Sequence, residues 1–365
     1  MLNEEDIYIP APAQDCEENE DQPELFERWH CVVDKGQSPL RVDKYLTEHM
    51  PGVSRNRIQT AADTGHVWAN GKPVSSNYKV HPLDTVQVLL DHEPHDYTIV
   101  PEEIPLDIVY EDECLLVVNK PAGLVVHPGH GHYEHTLLNA LAWHFGNNSE
   151  VDMNNPAVGL VHRIDKDTSG LLLVAKTPQA KSDLAMQFFN HTTHRTYNAL
   201  VWGTMKEEEG TITGALARDM SDRTAYRVYE DTEAHPEAKE SVTHWRVLER
   251  LTYVTLVECR LETGRTHQIR VHMKHTGHPL FGDEKYGGCE ILKGLPTQKY
   301  RQFVQNCLSL CPRQALHAKT LGFRHPQTGK DMFFDSDWPE DFAKLIDKWR
   351  KYGQNDQQPQ TDTLG

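Results

Sequence analysis

Three short segments of this chain hold residue types that could do chemistry together. The first is Val161–Lys176, VHRIDKDTSGLLLVAK, in which His162, Arg163 and Asp165 place cation and carboxylate within four residues. The second, RTYNALVWG at 195–203, puts Arg195 two positions before Tyr197. The third, LETGRTHQIRVHM at 261–273, carries Arg265, Ile269 and Arg270. A carboxylate beside cations can serve as a base or a nucleophile. An aspartate near a turn more commonly only caps it, so Asp165 must be weighed with its surroundings. After Asp165 the chain turns through Thr168, Ser169 and Gly170 and enters the apolar run Leu171–Ala175. Such a run reads as a buried strand or short buried helix, and the turn residues ahead of it favour the strand. Asp165 is then expected on a loop braced by a core strand, a common way to hold a reactive group.

The elements around these segments suggest two folded units. Residues 1–27 contain ten acidic side chains, no Lys or Arg, and three prolines, and read as a disordered acidic segment. Residues 28–91 read as a small domain. Trp29–Val33 is strand-like, and Arg41–His49 has helical spacing. A second helix runs from Arg55 to Thr64, with Ser54 as N-cap and Gly65 ending it. The strands His66–Ala69 and Lys72–Val74 flank Asn70-Gly71, a hairpin signature, and Thr85–Leu90 follows as a last strand. Residues 92–105, with three prolines, read as a linker.

From 106 to 350 strand patterns dominate: Ile108–Tyr110, Leu115–Asn119, Leu171–Ala175, Thr196–Trp202, Ala225–Tyr229, Ser241–Val247, Thr252–Leu261 and Ala315–Phe323. Helical patterns lie at Thr136–Phe145, Gln179–Asn190, Gly264–His275 and Asp341–Tyr352. Many strands with few intervening helices predict an α+β domain on a mainly antiparallel sheet. Residues beyond about 351, rich in Gln and Asp, read as a disordered tail.

Composition bounds the function. With 38% hydrophobic and 25% charged residues among 365, the chain is ordinary for a soluble protein, and no apolar run is long enough for a membrane span. The first residues show no signal peptide. The seven cysteines lack disulfide or zinc spacing, and Cys307 and Cys311 have no second close pair, so a reducing, cytoplasmic setting is expected. The net charge of −17 argues against a nucleic-acid partner, but the leading segment alone supplies −10. Leu40–Val80 has six basic and three acidic residues. A local basic face can bind phosphate on an acidic protein, although such charges can equally be solvated helix faces.

The motifs are more specific than the charge. RVDKYLTEH, SRNRIQTAADTGHVWANGKPV and YKVHPLDTVQV resemble the S4 RNA-binding domain, and Arg41, Lys44, Arg55 and Arg57 match its usually basic positions. HRIDKDTSG, RTYNALVWG and LETGRTHQIRVHM, with KPAGLVVHPG, HPLFGDEKYGG and QALHAKTLGFRHPQTG, resemble the RluA/RluD family of RNA pseudouridine synthases from about residue 106 to 345. The resemblance implies isomerisation of uridine to its C-glycoside in RNA, most simply large-subunit ribosomal RNA. The expected fold is a large mainly antiparallel mixed sheet flanked by helices, preceded by a small S4-like α/β domain.

By the same resemblance Asp165 is the essential aspartate. It attacks C1′ or removes the C2′ proton, two routes that the residues leave open. Arg270 pairs with it. Tyr197 stacks on the uracil, its hydroxyl being available for the C5 proton, and Ile269 packs on the other face of the base. Arg163 enters the RNA where the flipped base was, as an arginine's plane and fork permit. His162 contacts substrate or only shapes its loop, and Arg265 binds phosphate nearby. The reaction needs no cofactor and no metal, in keeping with the lack of a phosphate loop, dinucleotide fingerprint or ligand cluster. The expected partner is RNA, with no membrane, and the expected state is a monomer. The rival readings are a tRNA-directed synthase of the same fold, an RNA-binding protein acting in assembly without catalysis, and a nucleoside hydrolase. A hydrolase would need a placed water, and no second acidic group is evident in the motifs.

Overall fold

The computed structural model describes residues 26–50, 53–90, 98–128, 134–146, 151–154, 158–222 and 224–356. The chain divides into two units, Met1–Asp96 and Tyr97–Gly365. The acidic segment through residue 25, residue 91, residues 92–97 of the expected linker and residues 357–365 of the expected tail lie outside the described residues.

In the first unit the strands are β1 (Phe26–Val32), β2 (Leu40–Arg41), β3 (Val67–Ala69), β4 (Lys72–Pro73), β5 (Lys79–Val80) and β6 (Thr85–Leu90), with helices α1 (Val42–His49) and α2 (Arg55–Asp63). The sheet order is β1-β6-β3-β4, and β2 pairs with β5. Ser54 caps α2 by accepting a hydrogen bond from the Arg57 N–H. Asn70 and Gly71 both have positive φ, the conformation a tight two-residue hairpin requires. Val42, Tyr45 and Leu46 of α1 pack with Ile58 and Ala62 of α2 and with Val67, Val86 and Val88 of the sheet.

The second unit continues with β7 (Ile108–Glu111), β8 (Leu115–Lys120), α3 (Leu137–Phe145), β9 (Gly159–Leu160), β10 (Ser169–Ala175), α4 (Pro178–Phe189), β11 (His194–Trp202) and β12 (Glu209–Arg218). There follow β13 (Tyr226–Tyr229), β14 (Lys239–Leu251), β15 (Val254–Leu261), α5 (Gln268–His275), α6 (Gln298–Leu310), β16 (Leu316–Arg324), β17 (Asp331–Asp335) and α7 (Glu340–Asp356). One sheet runs β13-β12-β14-β15-β11-β16-β10-β8-β7, with β17 on β16 and β9 on β10. Every pairing in it is antiparallel except β10 with β16, so the sheet is mixed. All seven residues of β10 are buried. Leu172 and Val174 join the cluster that contains Tyr197 and Ile269, while Leu171, Leu173 and Ala175 join Ala180, Leu184 and Phe323. A strand covered on both faces is apolar without alternation, and this is the origin of the LLLVA run.

Several expectations need correction. The helix expected from Gly264 begins at Gln268; His267 ahead of it has φ 57, and the Gln268 N–H closes a turn onto the Arg265 carbonyl. β12 and β17 escape the strand pattern, and α6 lies in a span to which the sequence reading assigns no element. In β12, Gly210 and Gly214 look like breakers, but a Cβ there would stand 2.7 Å from Trp245 and 2.6 Å from Val228. Neighbouring side chains cross those glycines, so they are strand residues. The C-terminal helix continues through Asp356, so residues 353–356 are helix rather than tail. Residues 98–105 are no free linker: the Ile99 N–H donates to Asn154 Oδ1 at 2.6 Å, and the Val100 carbonyl accepts from Asn139 Nδ2 at 2.8 Å. Ile99 sits in the core of the second unit.

Candidate active site

Asp165 lies on a loop held from three directions. The buried Lys120 ammonium donates to the carbonyls of Lys166 (2.8 Å), Pro121 (2.7 Å) and Leu124 (2.9 Å), tying the loop to the segment after β8. Arg313 donates to the Asp167 carbonyl at 2.9 Å while its other nitrogens grip Asp341 at 2.6 and 3.0 Å. Ser169 Oγ meets His317 Nδ1 at 2.9 Å. Gly170 has φ +114, and a Cβ there would collide with the Ala318 carbonyl of the parallel neighbour β16. The Thr-Ser-Gly turn is therefore set by a close strand approach as well as by backbone freedom.

Burial pushes the Lys120 ammonium down to about 7, against the opposing influence of Asp167 and Asp165. His162 is committed to the same scaffold. Its Nε2 accepts the Leu173 N–H at 3.0 Å, and its ring stacks on Phe188 at 4.6 Å. Burial, helped by Arg195, lowers it to about 3, so the ring is neutral. Of the two roles considered for His162, these contacts serve the shaping of the loop.

A cavity of about 490 Å³ opens over this loop. Its lining brings together His162, Arg163, Asp165, Tyr197, Arg265, Ile269 and Arg270, which come from three distant parts of the chain. Arg270 Nη1 donates to Asp165 Oδ2 at 3.0 Å. The opposite edge of the guanidinium is bidentate on Asp283, Nε to Oδ2 at 2.7 Å and Nη2 to Oδ1 at 2.9 Å. The Asp283 side chain is 0% exposed and that of Asp165 19%, so one carboxylate is structural and the other reaches the cavity. Burial works against the Arg270 charge, but Asp283 and Asp165 outweigh it and raise the guanidinium further. Arg270 also lies 5.0 Å from the Tyr286 ring centroid.

Helix α5 is aimed by the turn before it. Gln268 accepts at Oε1 from Thr263 Oγ1 and the Arg265 N–H, and its Nε2 donates to the Val242 carbonyl and Thr243 Oγ1. His272 bridges Ser241 and Thr243, and burial lowers it to about 4. Tyr197 is buried at the cavity wall, and burial raises its hydroxyl, with Arg195 opposing and Asp165 assisting. Ile269 is buried as well, whereas Arg163 and Arg265 are exposed; Arg265 Nε donates to the Glu240 carbonyl at 3.2 Å.

Sequence reasoning missed Asp283 and Lys120. Asp283 corrects the statement that the motifs hold no second acidic group, for it stands inside HPLFGDEKYGG between two turns. Its neighbours Glu284 and Lys285 are charged as well, so nothing local singles out Asp283. Lys120 opens KPAGLVVHPG directly after an apolar strand, where a buried lysine reads as a strand terminus.

The predicted basic residues of the first unit are arranged differently from four free cations. Arg41 and Arg55 both grip the fully buried Asp43, their Nη2 atoms at 3.0 and 2.8 Å, and Gln59 is a third side-chain partner at 2.7 Å. Burial pushes the Asp43 carboxyl up, but Arg41, Gln59 and Arg55 together hold it well below the usual range. Lys44 and Arg57 are exposed.

One group among the described residues has metal-ligand types, Asp112, Cys114 and His325. His325 Nδ1 accepts the N–H groups of Gln327 and Thr328, so its proton sits on Nε2 and is donated to Asp112 at 2.7 Å. Asp112 also accepts from Tyr110 and the Cys114 and Leu115 amides. This network is satisfied by itself and offers no free imidazole lone pair.

The sequence model of the RNA pseudouridylate synthase family matches residues 114–275, and that of the S4 domain matches residues 40–86. A protein of Chlorobaculum parvum described as an uncharacterized RNA pseudouridine synthase is 44% identical over 87% of this chain and 96% of its own. A ribosomal large subunit pseudouridine synthase D of Nitrosomonas europaea is 39% identical over 95% of this chain and 94% of its own. The structure of human RNA pseudouridylate synthase domain containing 4 shares the fold, with a TM-score of 0.52 and 22% identity over 67% of this chain and 92% of that one. This chain belongs to the RNA pseudouridine synthase family, in the group that carries an S4 domain. It is an isomerase that converts uridine to pseudouridine.

Proposed function

We propose that the enzyme acts on large-subunit ribosomal RNA, in the cytoplasm and as a monomer, and that Asp165 is its catalytic carboxylate. The observation that carries this is the Asp165–Arg270 pair at 3.0 Å inside the cavity lined by Tyr197 and Ile269. A uridine flipped from its stack enters that cavity, with its base between Tyr197 and Ile269 and its ribose over Asp165. Asp165 attacks C1′ or takes the C2′ proton, and Arg270 holds the carboxylate at the cavity wall for either step. The Tyr197 hydroxyl is available for the C5 proton after the base has turned. Arg163, exposed at the rim, fills the position that the base leaves in the RNA, and Arg265 holds phosphate nearby. The first unit docks structured RNA through Arg41, Lys44, Arg55 and Arg57.

The large-subunit substrate is supported by the name of the Nitrosomonas relative, which matches over nearly the whole chain. The test is to map pseudouridines in total RNA from strains with and without the gene, complemented by wild type or Asp165→Asn. Sites in large-subunit RNA that vanish without the gene and return only with wild type support the reading. Sites confined to tRNA would overturn the substrate, and full restoration by Asp165→Asn would overturn the residue.

A further inference from the structure

Among the described residues the other deeply buried basic side chains have hydrogen-bond acceptors, and Arg195 does not. Lys120 meets three carbonyls, Arg270 two carboxylates, and Arg313 a carboxylate and carbonyls. Arg195 is 7% exposed, and its Nε is enclosed with no hydrogen-bond partner. Among the described residues no carboxylate pairs with it and no carbonyl accepts from it. Packing alone holds it. Its guanidinium lies 5.0 Å from the centroid of the Phe188 ring, the ring on which His162 also stacks. A Cβ at Gly264 would stand 3.0 Å from Nη1, so the glycine leaves the space into which the guanidinium reaches. Arg195 and Tyr197 line the same cavity. The Nε is enclosed and unmatched, while the guanidinium faces the cavity, where its remaining N–H groups are open to an incoming acceptor. That arrangement suits an anion that arrives with the substrate.

We propose that Arg195 receives a non-bridging oxygen of the phosphodiester flanking the target uridine as the nucleotide enters the cavity. This rests on the reading of that cavity as the uridine site. The uracil is neutral when it arrives, whereas the flanking phosphates carry full charge and suit the arginine fork.

The experiment uses the full chain and an unmodified transcript of large-subunit ribosomal RNA, comparing wild type with Arg195→Met, Arg195→Gln and Arg195→Lys. Loss of a charged hydrogen bond raises Kd and KM roughly tenfold to a hundredfold in the Met and Gln variants. The slope of log affinity against log salt falls by about 0.7–0.9, one phosphate contact fewer. Turnover at saturation stays within a few-fold, and the Lys variant recovers most of the affinity. The free Met variant melts no lower than wild type, because a merely structural arginine would be missed and an unpaired one is not. Unchanged affinity and salt slope in both neutral variants overturn the proposal. So does a fall in kcat at unchanged affinity, which would set Arg195 against the departing base. If wild type forms no pseudouridine in this transcript, the failure lies with the substrate reading and not with Arg195.

Discussion

Replacing Asp283 by Asn tests whether the geometry of Arg270 is imposed from behind. The buried Asp283 carboxylate takes two of the guanidinium's bonds, at 2.7 and 2.9 Å, and leaves Nη1 for Asp165 at 3.0 Å. Asparagine keeps one acceptor but turns an amide N–H toward a guanidinium N–H, so one bond is lost and a donor faces a donor. Breaking a buried pair from one side typically costs roughly 3–5 kcal/mol. Total stabilities of about 5–15 kcal/mol leave the variant folded but weakened. Displacement of Arg270 by about 1 Å then lowers kcat up to roughly a hundredfold. Urea unfolding followed by fluorescence and single-turnover pseudouridine formation are the two assays. The decisive comparison is the same substitution made in an Arg270→Met background. There Asp283 is an unpaired buried carboxylate, and its neutralisation is neutral or stabilising, a reversal of sign. An equal destabilisation in both backgrounds would refute the idea that Asp283 acts through Arg270.

Three further outcomes are expected. Gly170→Ala meets both a positive φ and the Ala318 carbonyl, so it destabilises by more than the roughly 1 kcal/mol of an ordinary left-handed glycine site and lowers the melting temperature of the second unit. Lys120 has a folded-state pKa of about 7 against 10.5 when unfolded. The unfolded chain therefore holds more protons between those values, and the wild type gains stability relative to Lys120→Met as pH rises from about 7, by at most roughly 1.4 kcal/mol per pH unit. A difference in unfolding free energy that stays flat from pH 7 to 9 would show that the three carbonyls keep the ammonium charged. Deleting residues 1–90 weakens RNA binding and flattens its salt dependence; an unchanged slope would mean that the first unit does not dock RNA.

The sequence by itself determined the family, the order of the motifs and the strand that braces Asp165. Those properties are local: a motif is a run of neighbours, and the burial of β10 on both faces is written as an apolar run. The same locality found the Ser54 cap and the Asn70-Gly71 turn. The tertiary structure alone decided which charges meet. Arg270 is 105 residues from Asp165 and 13 from Asp283. No period or spacing states that one guanidinium serves both, or that Lys120 holds the Lys166 carbonyl 46 residues away. Likewise Arg41 and Arg55 looked like free cations until the fold brought both onto Asp43. Arg195 is the converse case, a charge for which the fold supplies the Phe188 ring but, among the described residues, no hydrogen-bond acceptor. Hydrogen bonds and ion pairs depend on distances of a few ångströms between groups remote in the chain, and only the folded sheet and helices set those distances.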